Sequence, residues 1–237
     1  MITQALIHAG GEGTRLRPVT YEIPKPLVPV QGKPILTWLI EWLAQYGVKR
    51  VLVTISPKWK AAFESWQLRL STEHPEVQID LWVEPEPMGT MGAAVHYLKD
   101  TFNQESIFVT NGDELKGFDL TALSNVHEEH AYTVTLGLVA VEEPQHYGVP
   151  ELAGTKVLEY REKPSNPTTN FVHAGLYALN TAILSQINTE KRFLMFEKDL
   201  FPNLAATGML GATPLAGPWF DCGTLERWEK AIKEWTI

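Results

Sequence analysis

The chain has 237 residues, with 20 Lys and Arg against 28 Asp and Glu and a formal charge of −8. Hydrophobic residues make up 44% and charged residues 20%, which excludes a disordered chain and argues against a nucleic-acid binder held by phosphate neutralisation. The single cysteine, Cys222, excludes an intrachain disulfide and a Cys-based metal site.

From the N-terminus, Met1, Ile2, Thr3 and Gln4 carry no basic stretch, so a secretory signal is not expected. Residues 5–8 read as a strand running into Gly10 and Gly11. Residues 35–46 place Ile35, Leu36, Leu39, Ile40 and Leu43 at helical spacing and stop at Gly47. Residues 51–55 form the next strand, 58–70 the next helix, and 77–83 alternate as a strand. A helix over 92–99 and a strand over 106–110 follow. Strand–helix alternation of this kind implies an α/β fold with a mostly parallel sheet and helices on both faces. The second half is richer in β signals, over 133–141, 156–160 and 171–179. Helices return near Leu200 and Phe201 and over 225–235. The longest apolar run, 134–141, stops well short of the ~18–20 residues that span a bilayer. These features predict one domain over 1–237, in the cytoplasm, with neither membrane nor nucleic acid as partner. Trp38 and Trp42, one helical turn apart, read as core or a subunit contact, and Glu128 and Glu129 as a solvated face.

Directly after the first strand comes Ala9-Gly10-Gly11-Glu12-Gly13-Thr14-Arg15-Leu16-Arg17-Pro18. Glycines here let backbone N–H groups approach a phosphate with no Cβ in the way. A dinucleotide fingerprint fails, because Leu16 stands where a third glycine is needed, and a Walker A loop fails for want of Gly-Lys-Ser/Thr. A tight strand-to-helix turn accounts for the glycines equally well. Arg15 and Lys25 add two cations near the same strand end, which suits a triphosphate.

The run from Gly10 to Thr20, with Pro24-Lys25-Pro26-Leu27 and Gly32-Lys33-Pro34, resembles the signature of sugar-1-phosphate nucleotidyltransferases. The resemblance continues in order through 87–93, Asn111-Gly112-Asp113, Tyr147-Gly148-Val149, Glu162-Lys163-Pro164, 174–177 and 219–224. It implies a Rossmann-like three-layer α/β/α sandwich with a mixed, mostly parallel central sheet. The nucleotide part would occupy roughly 1–115 and the sugar-phosphate part roughly 116–237. The implied reaction joins a nucleoside triphosphate to a sugar 1-phosphate, releases pyrophosphate and uses Mg²⁺; a homo-oligomer is compatible with it.

The chemistry says what such a site needs. A phosphate monoester is already largely dianionic at neutral pH, with a second pKa of about 6, so no general base is required. The obstacle is bringing an anion to a polyanion, which calls for cations, a metal and carboxylates to hold it. By the resemblance, Arg15, Lys25 and Asp113 are catalytic. Ala9, Gly10, Gly11, Gly13, Thr14, Glu84, Gly89 and Thr90 bind nucleotide. Asn111, Gly148, Glu162, Lys163, Gly175 and Trp219 bind the sugar phosphate, and Asp113 and Asp221 hold the metal. Asp113 follows a strand's C-terminal end, where parallel sheets bind ligands. Asp221 is expected in a turn before the last helix, where it could instead cap that helix. An ionised Glu84 accepts guanine's two donors better than it reads uracil or thymine, so guanine is favoured. Two departures stand out: His8 replaces an aliphatic residue and His173 an Asn. A neutral buried His8 bonded to backbone is expected, with a role near ribose as the other reading, and a hydrophobic Cys222. Two other readings remain open: an inactive regulatory subunit of the same fold, and a cytidylyltransferase acting on a non-sugar phosphate such as phosphocholine.

Overall fold

A computed structural model describes residues 1–236. Its strands are β1 (Gln4–His8), β2 (Pro29–Val30), β3 (Lys33–Pro34), β4 (Arg50–Ile55), β5 (Gln78–Val83), β6 (Ser106–Asn111) and β7 (Glu114–Lys116). They continue with β8 (Val134–Ala140), β9 (Gly148–Ala153), β10 (Lys156–Glu162), β11 (Phe171–Asn180), β12 (Leu210–Pro214) and β13 (Trp219–Asp221). The α-helices are α1 (Val19–Glu22), α2 (Ile35–Gln45), α3 (Lys60–Glu73), α4 (Gly89–Ala93), α5 (Leu120–His130), α6 (Phe201–Thr207) and α7 (Leu225–Glu234). The fold is the expected mixed α/β class. No helix among the described residues is long and apolar enough to cross a membrane.

Two compact units make up the chain. The first comprises Thr3–Pro87, Thr110–Phe118 and the chain from Gly217 onward. Within it β1 pairs with β4 and β4 with β5, all parallel, with Leu6 opposite Leu52 and Leu52 opposite Asp80. The strands are apolar on both faces, as a covered parallel sheet requires: Leu6, Ile7, Val51, Val53 and Ile55 are all buried. Helix α2 buries Ile35, Leu36, Leu39, Ile40, Trp42 and Leu43, the face its spacing predicts. Trp42 is core, and its indole N–H donates to Phe118 O at 2.9 Å. Trp38 meets Trp235 edge-on with ring centroids 6.0 Å apart.

The second unit comprises Met1–Ile2, Met88–Val109 and Asp119–Ala216. Its pairing is mixed: β8 runs antiparallel to β11 and parallel to β12, while β10 is antiparallel to both β9 and β12. Strand β6 belongs to this unit through Val109 and to the first unit for its last two residues. The β11–β8 register shifts between His173 and Tyr177. Gly175 sits inside that bulge with φ +58, a conformation that excludes most side chains. The expected helix over 92–99 begins earlier, as α4, and widens into a π-turn over Ala94–Leu98.

Candidate active site

In the first unit the chain ends of three strands are drawn together. Ala9 N donates to Thr54 O just beyond β1, and Gly112 N donates to His8 O just beyond β6. Gly112 allows this approach, since a Cβ there would lie 2.9 Å from His8 O. Asp113 is therefore held beside the loop that carries Ala9, Gly10, Gly11, Gly13 and Thr14. Within that loop Gly13 has φ +62, and its carbonyl accepts from Thr20 Oγ1 at 2.9 Å and Leu16 N at 3.0 Å. The resulting turn over Thr14–Leu16 carries Arg15.

Asp221 reaches the same place through pairing rather than through a turn. It is the last residue of β13, which runs antiparallel to β7 with Trp219 opposite Lys116 and Asp221 opposite Glu114. This corrects the expectation of a turn: three residues of strand bring Asp221 across from the neighbour of Asp113. Nor does Asp221 cap the last helix. Thr224 does so, its hydroxyl accepting from Arg227 N at 3.3 Å.

Lys25 is the hub. Its side chain is 6% exposed, and its ammonium lies 2.6 Å from Asp113 Oδ2 and 3.9 Å from Asp221 Oδ1. Burial works against that charge, but Asp113, with Asp221 and Glu114 behind it, outweighs burial and raises the Lys25 pKa. Burial likewise opposes ionisation of Asp113, and the Lys25 ammonium overrides it, holding the carboxyl below its ordinary range. Both are charged at neutral pH.

One arginine holds Asp221, and a second reaches the neighbouring Gly223. Arg227 Nη1 donates to Asp221 Oδ2 at 2.5 Å. A Cβ placed on Gly223 would lie 2.7 Å from Asp221 Oδ1 and 3.2 Å from Arg15 Nη2, so both side chains crowd Gly223. Behind them, Glu114 accepts from Asn111 Nδ2 at 3.0 Å, from Lys116 Nζ at 2.9 Å and from Trp219 Nε1 at 3.0 Å. Lys116 is fully buried. The indole N–H of Trp219 and the amide of Asn111 are thus spent on Glu114, and both residues stand with the aspartates. Sequence reasoning missed Glu114 and Arg227. Nothing in the linear pattern marks Glu114 apart from its place next to Asp113.

Glu84 follows β5 and packs its carboxylate on Gly10, where a Cβ would come within 3.2 Å of it. His8 is half-buried with its Nε2 enclosed, and desolvation pushes its pKa down to about 4, so it is neutral. Cys222 is fully buried and burial pushes its thiol up to about 12, which makes it an inert hydrophobe.

The remaining expected residues lie in the second unit. Gly148 faces the Tyr160 hydroxyl so closely that no Cβ would fit, and Glu162 Oε2 is beside it at 3.1 Å from that position. Tyr160 donates to the same Glu162 oxygen at 3.3 Å. Lys163, with φ +51, places its ammonium 3.4 Å from Glu162 Oε1 and is largely exposed. Gly89 has φ +72 and abuts Leu194 O. Thr90 does not turn an open hydroxyl outward: it donates to Glu197 Oε2 at 2.6 Å and accepts from Phe196 N at 3.1 Å. His173 joins a ring cluster, 5.6 Å from both Tyr177 and Phe201.

Mg²⁺ was the expected cofactor, and the donors in the first unit fit it. Mg²⁺ takes hard oxygen ligands and is commonly held by one or two carboxylates plus substrate phosphates and water. Asp113 and Asp221 supply two carboxylates about one ammonium apart. Among the described residues no group of three or more His, Cys, Asp or Glu is placed to hold a metal, so such an ion would need ligand oxygens as well.

Comparison with known proteins gives a consistent result. The family profile described as Nucleotidyl transferase matches residues 4–236. The mannose-1-phosphate guanylyltransferase catalytic subunit beta of Danio rerio is 36% identical over 225 residues, covering 93% of this chain and 61% of that protein. Its Drosophila melanogaster counterpart is 34% identical over 225 residues, with coverage of 93% and 59%. The chain thus spans about six-tenths of the length of these relatives. Among solved structures, a putative glucose-1-phosphate thymidylyltransferase of Bacillus anthracis, in complex with a sucrose, superposes with TM-score 0.87 at 22% identity, covering 99% of this chain and 96% of that one. HddC of Yersinia pseudotuberculosis complexed with GMP-PN gives TM-score 0.79 at 28% identity, with coverage of 98% and 99%.

Proposed function

The chain belongs to the nucleotidyl transferase family, and we propose that it transfers a guanylyl group from GTP to a sugar 1-phosphate, releasing pyrophosphate. The observation that carries this reading is the Lys25 ammonium seated between Asp113 and Asp221, with Arg227 on the second carboxylate and Arg15 beside Gly223. Such a cluster of alternating charge suits a triphosphate and a divalent ion and has no evident use in a merely structural core. The relatives' names favour guanine and mannose 1-phosphate, and the carboxylate of Glu84 suits guanine's donors.

In this account the free amides of Gly10, Gly11 and Gly13 receive the phosphates, and Arg15 and Lys25 carry the negative charge that builds at the α-phosphorus. Mg²⁺, held by Asp113 and Asp221, would neutralise phosphate oxygens. Lys163 holds the phosphate of the sugar 1-phosphate, and Glu162 accepts from sugar hydroxyls. An oxygen of that phosphate attacks the α-phosphorus; the new P–O bond forms as the bond to the β-phosphate oxygen breaks, and pyrophosphate leaves with the electron pair. No proton has to move, which agrees with the lack of a Ser/His/Asp constellation in the sequence. Catalysis is then orientation plus charge stabilisation.

The test is pyrophosphate release from five nucleoside triphosphates, each against a panel of sugar 1-phosphates and phosphocholine. GTP with a hexose 1-phosphate should be fastest. Release with CTP and phosphocholine alone, or with no pair at all, would overturn the reading.

A further inference from the structure

Three residues of the first unit lie next to the aspartates and have no part in the scheme above: Glu114, Lys116 and Trp219. All three sit on the ribbon formed by β7 and β13, a two-stranded sheet of three residues a side. So short a ribbon is marginal without other support. Side chains alternate along a strand, and residues directly opposite share a face. Glu114, Lys116, Trp219 and Asp221 therefore stand on one face of the ribbon, and Leu115 and Phe220 on the other. The second face packs inward: Leu115 is buried, and Phe220 meets Trp235 edge-on with centroids 5.9 Å apart.

The first face is costly as it is composed. Glu114 and Asp221 are directly opposite, and like charges so placed repel. Glu114 is compensated by three donors. Its Oε2 accepts from Lys116 Nζ at 2.9 Å and from Trp219 Nε1 at 3.0 Å, and its Oε1 accepts from Asn111 Nδ2 at 3.0 Å. The Lys116 side chain is 0% exposed and that of Glu114 12%. A buried ion pair is poor glue, since apolar residues of similar volume serve stability as well or better. What this one supplies is a unique register. The Trp219 indole reaches across to Glu114 only with Trp219 opposite Lys116, and a slip of one residue would turn Trp219 and Asp221 to the other face. Asp113 precedes Glu114 and Asp221 ends β13, so the same register places both aspartates.

We propose that Glu114, with Lys116 and Trp219, is a positioning group that fixes the separation of the Asp113 and Asp221 carboxylates and so makes the site choose a small divalent ion, Mg²⁺ or Mn²⁺, over Ca²⁺. This rests on the metal role given to the two aspartates above. Mg²⁺ demands near-ideal octahedral geometry at about 2.0–2.1 Å, whereas Ca²⁺ accepts about 2.3–2.6 Å and irregular arrangements. Carboxylates held stiffly close favour the first; carboxylates free to drift lose that preference. Glu114 touches neither substrate nor ion in this account and acts through the backbone of β7 and β13.

The experiment is a titration of Mn²⁺ into the protein with a non-hydrolysable GTP analogue, followed by electron paramagnetic resonance and corrected for Mn²⁺ on the free nucleotide. Displacement by Ca²⁺ and a urea midpoint are measured alongside. Trp219→Phe removes only the indole N–H. Glu114→Gln combined with Lys116→Met removes the buried charges and keeps their bulk. Each should weaken Mn²⁺ by about 10–100-fold, the usual effect of losing a group that orients metal ligands, and leave Ca²⁺ little changed. The combined variant should keep its urea midpoint or raise it. Mn²⁺ affinity unchanged in Trp219→Phe, or Mn²⁺ and Ca²⁺ weakened equally, overturns the proposal, and Trp219→Phe alone decides if the combined variant does not fold. If Asp113→Asn still abolishes Mn²⁺ uptake, the functional reading survives that result. Mn²⁺ uptake unaffected by both Asp113→Asn and Asp221→Asn overturns the two together.

Discussion

Lys25 is the residue on which the candidate site turns. It neutralises Asp113 at 2.6 Å and lies within ion-pair reach of Asp221. Lys25→Met should therefore leave two carboxylates facing each other. Loss of a hydrogen bond to a charged group typically costs about 1.5–3 kcal/mol, and urea denaturation should show a destabilisation of that order together with lost turnover. Asp113→Asn and Asp221→Asn should each lower Mg²⁺-dependent pyrophosphate release by about 10–100-fold while the far-ultraviolet circular dichroism stays unchanged, because a charge-assisted contact made in the transition state is worth that much. Turnover near normal in either variant would remove it from the metal site. Lys25, Asp113 and Asp221 could be named from the sequence because each stands in a segment that resembles a motif of the family, and the chemistry says only that cations and carboxylates of this kind are needed. Glu114 could not. Its partners Asn111 and Lys116 are three and two positions away, but Trp219 is 105 positions distant, and only the β7–β13 register brings it near. Arg227 reads as an ordinary cation on an amphipathic helix until α7 is seen to start beside Asp221. Thr90 was legible as a residue of the turn, but the direction of its hydroxyl was not, since that depends on Glu197 in a distant segment.

At the scale of elements, the site depends on two short strands and one helix cap. β13 has three residues, too few for an alternating pattern to show, which is why Asp221 was assigned to a turn. β9 and β12 escaped for related reasons: β9 opens on Gly148 and Pro150 sits within it, and β12 ends on Pro214. α5 was missed because it buries little beyond Leu120, Leu123 and His127. The strongly periodic elements, β1, α2, β4 and β11, were legible because each buries one face or both. Thr224 caps α7, and α7 carries the arginine that holds Asp221. Thr224→Ala should cost about 1 kcal/mol of stability, a usual value for an N-cap. It should also lower turnover more than a cap replaced on an unrelated helix, such as Asp119→Ala at the start of α5. Equal effects of the two substitutions on turnover would mean that the Arg227–Asp221 contact is dispensable.

At the scale of the molecule, the chain leaves the first unit at residue 87, returns for Thr110–Phe118 and returns again at Gly217. The groups clustered on Lys25, namely Asp113, Glu114 and Asp221, come from the second and third of these passes, and the order of segments along the sequence conceals that. The same packing makes a prediction about acid. Burial lowers the His8 pKa from 6.5 to about 4, so the unfolded chain binds a proton that the folded chain refuses. Its contribution is full above pH 6.5 and is lost as the pH falls toward 4, a change of about 3 kcal/mol from this residue. Asp113, whose pKa is lowered in the fold, loses its contribution at lower pH still. Denaturant titrations from pH 7 to 4 should show this loss, and His8→Asn should flatten it by about one proton; an unchanged slope would mean His8 is not the group responsible.

The central claim is that Asp113 and Asp221 together hold a divalent ion beneath the phosphates. The direct measurement is anomalous scattering from a crystal grown with Mn²⁺ and a non-hydrolysable GTP analogue. The account predicts a manganese peak bridging the Asp113 and Asp221 carboxylates, with the Lys25 ammonium turned to a phosphate oxygen. A peak bound elsewhere, with Lys25 still closed on Asp113 beneath the bound nucleotide, would contradict it.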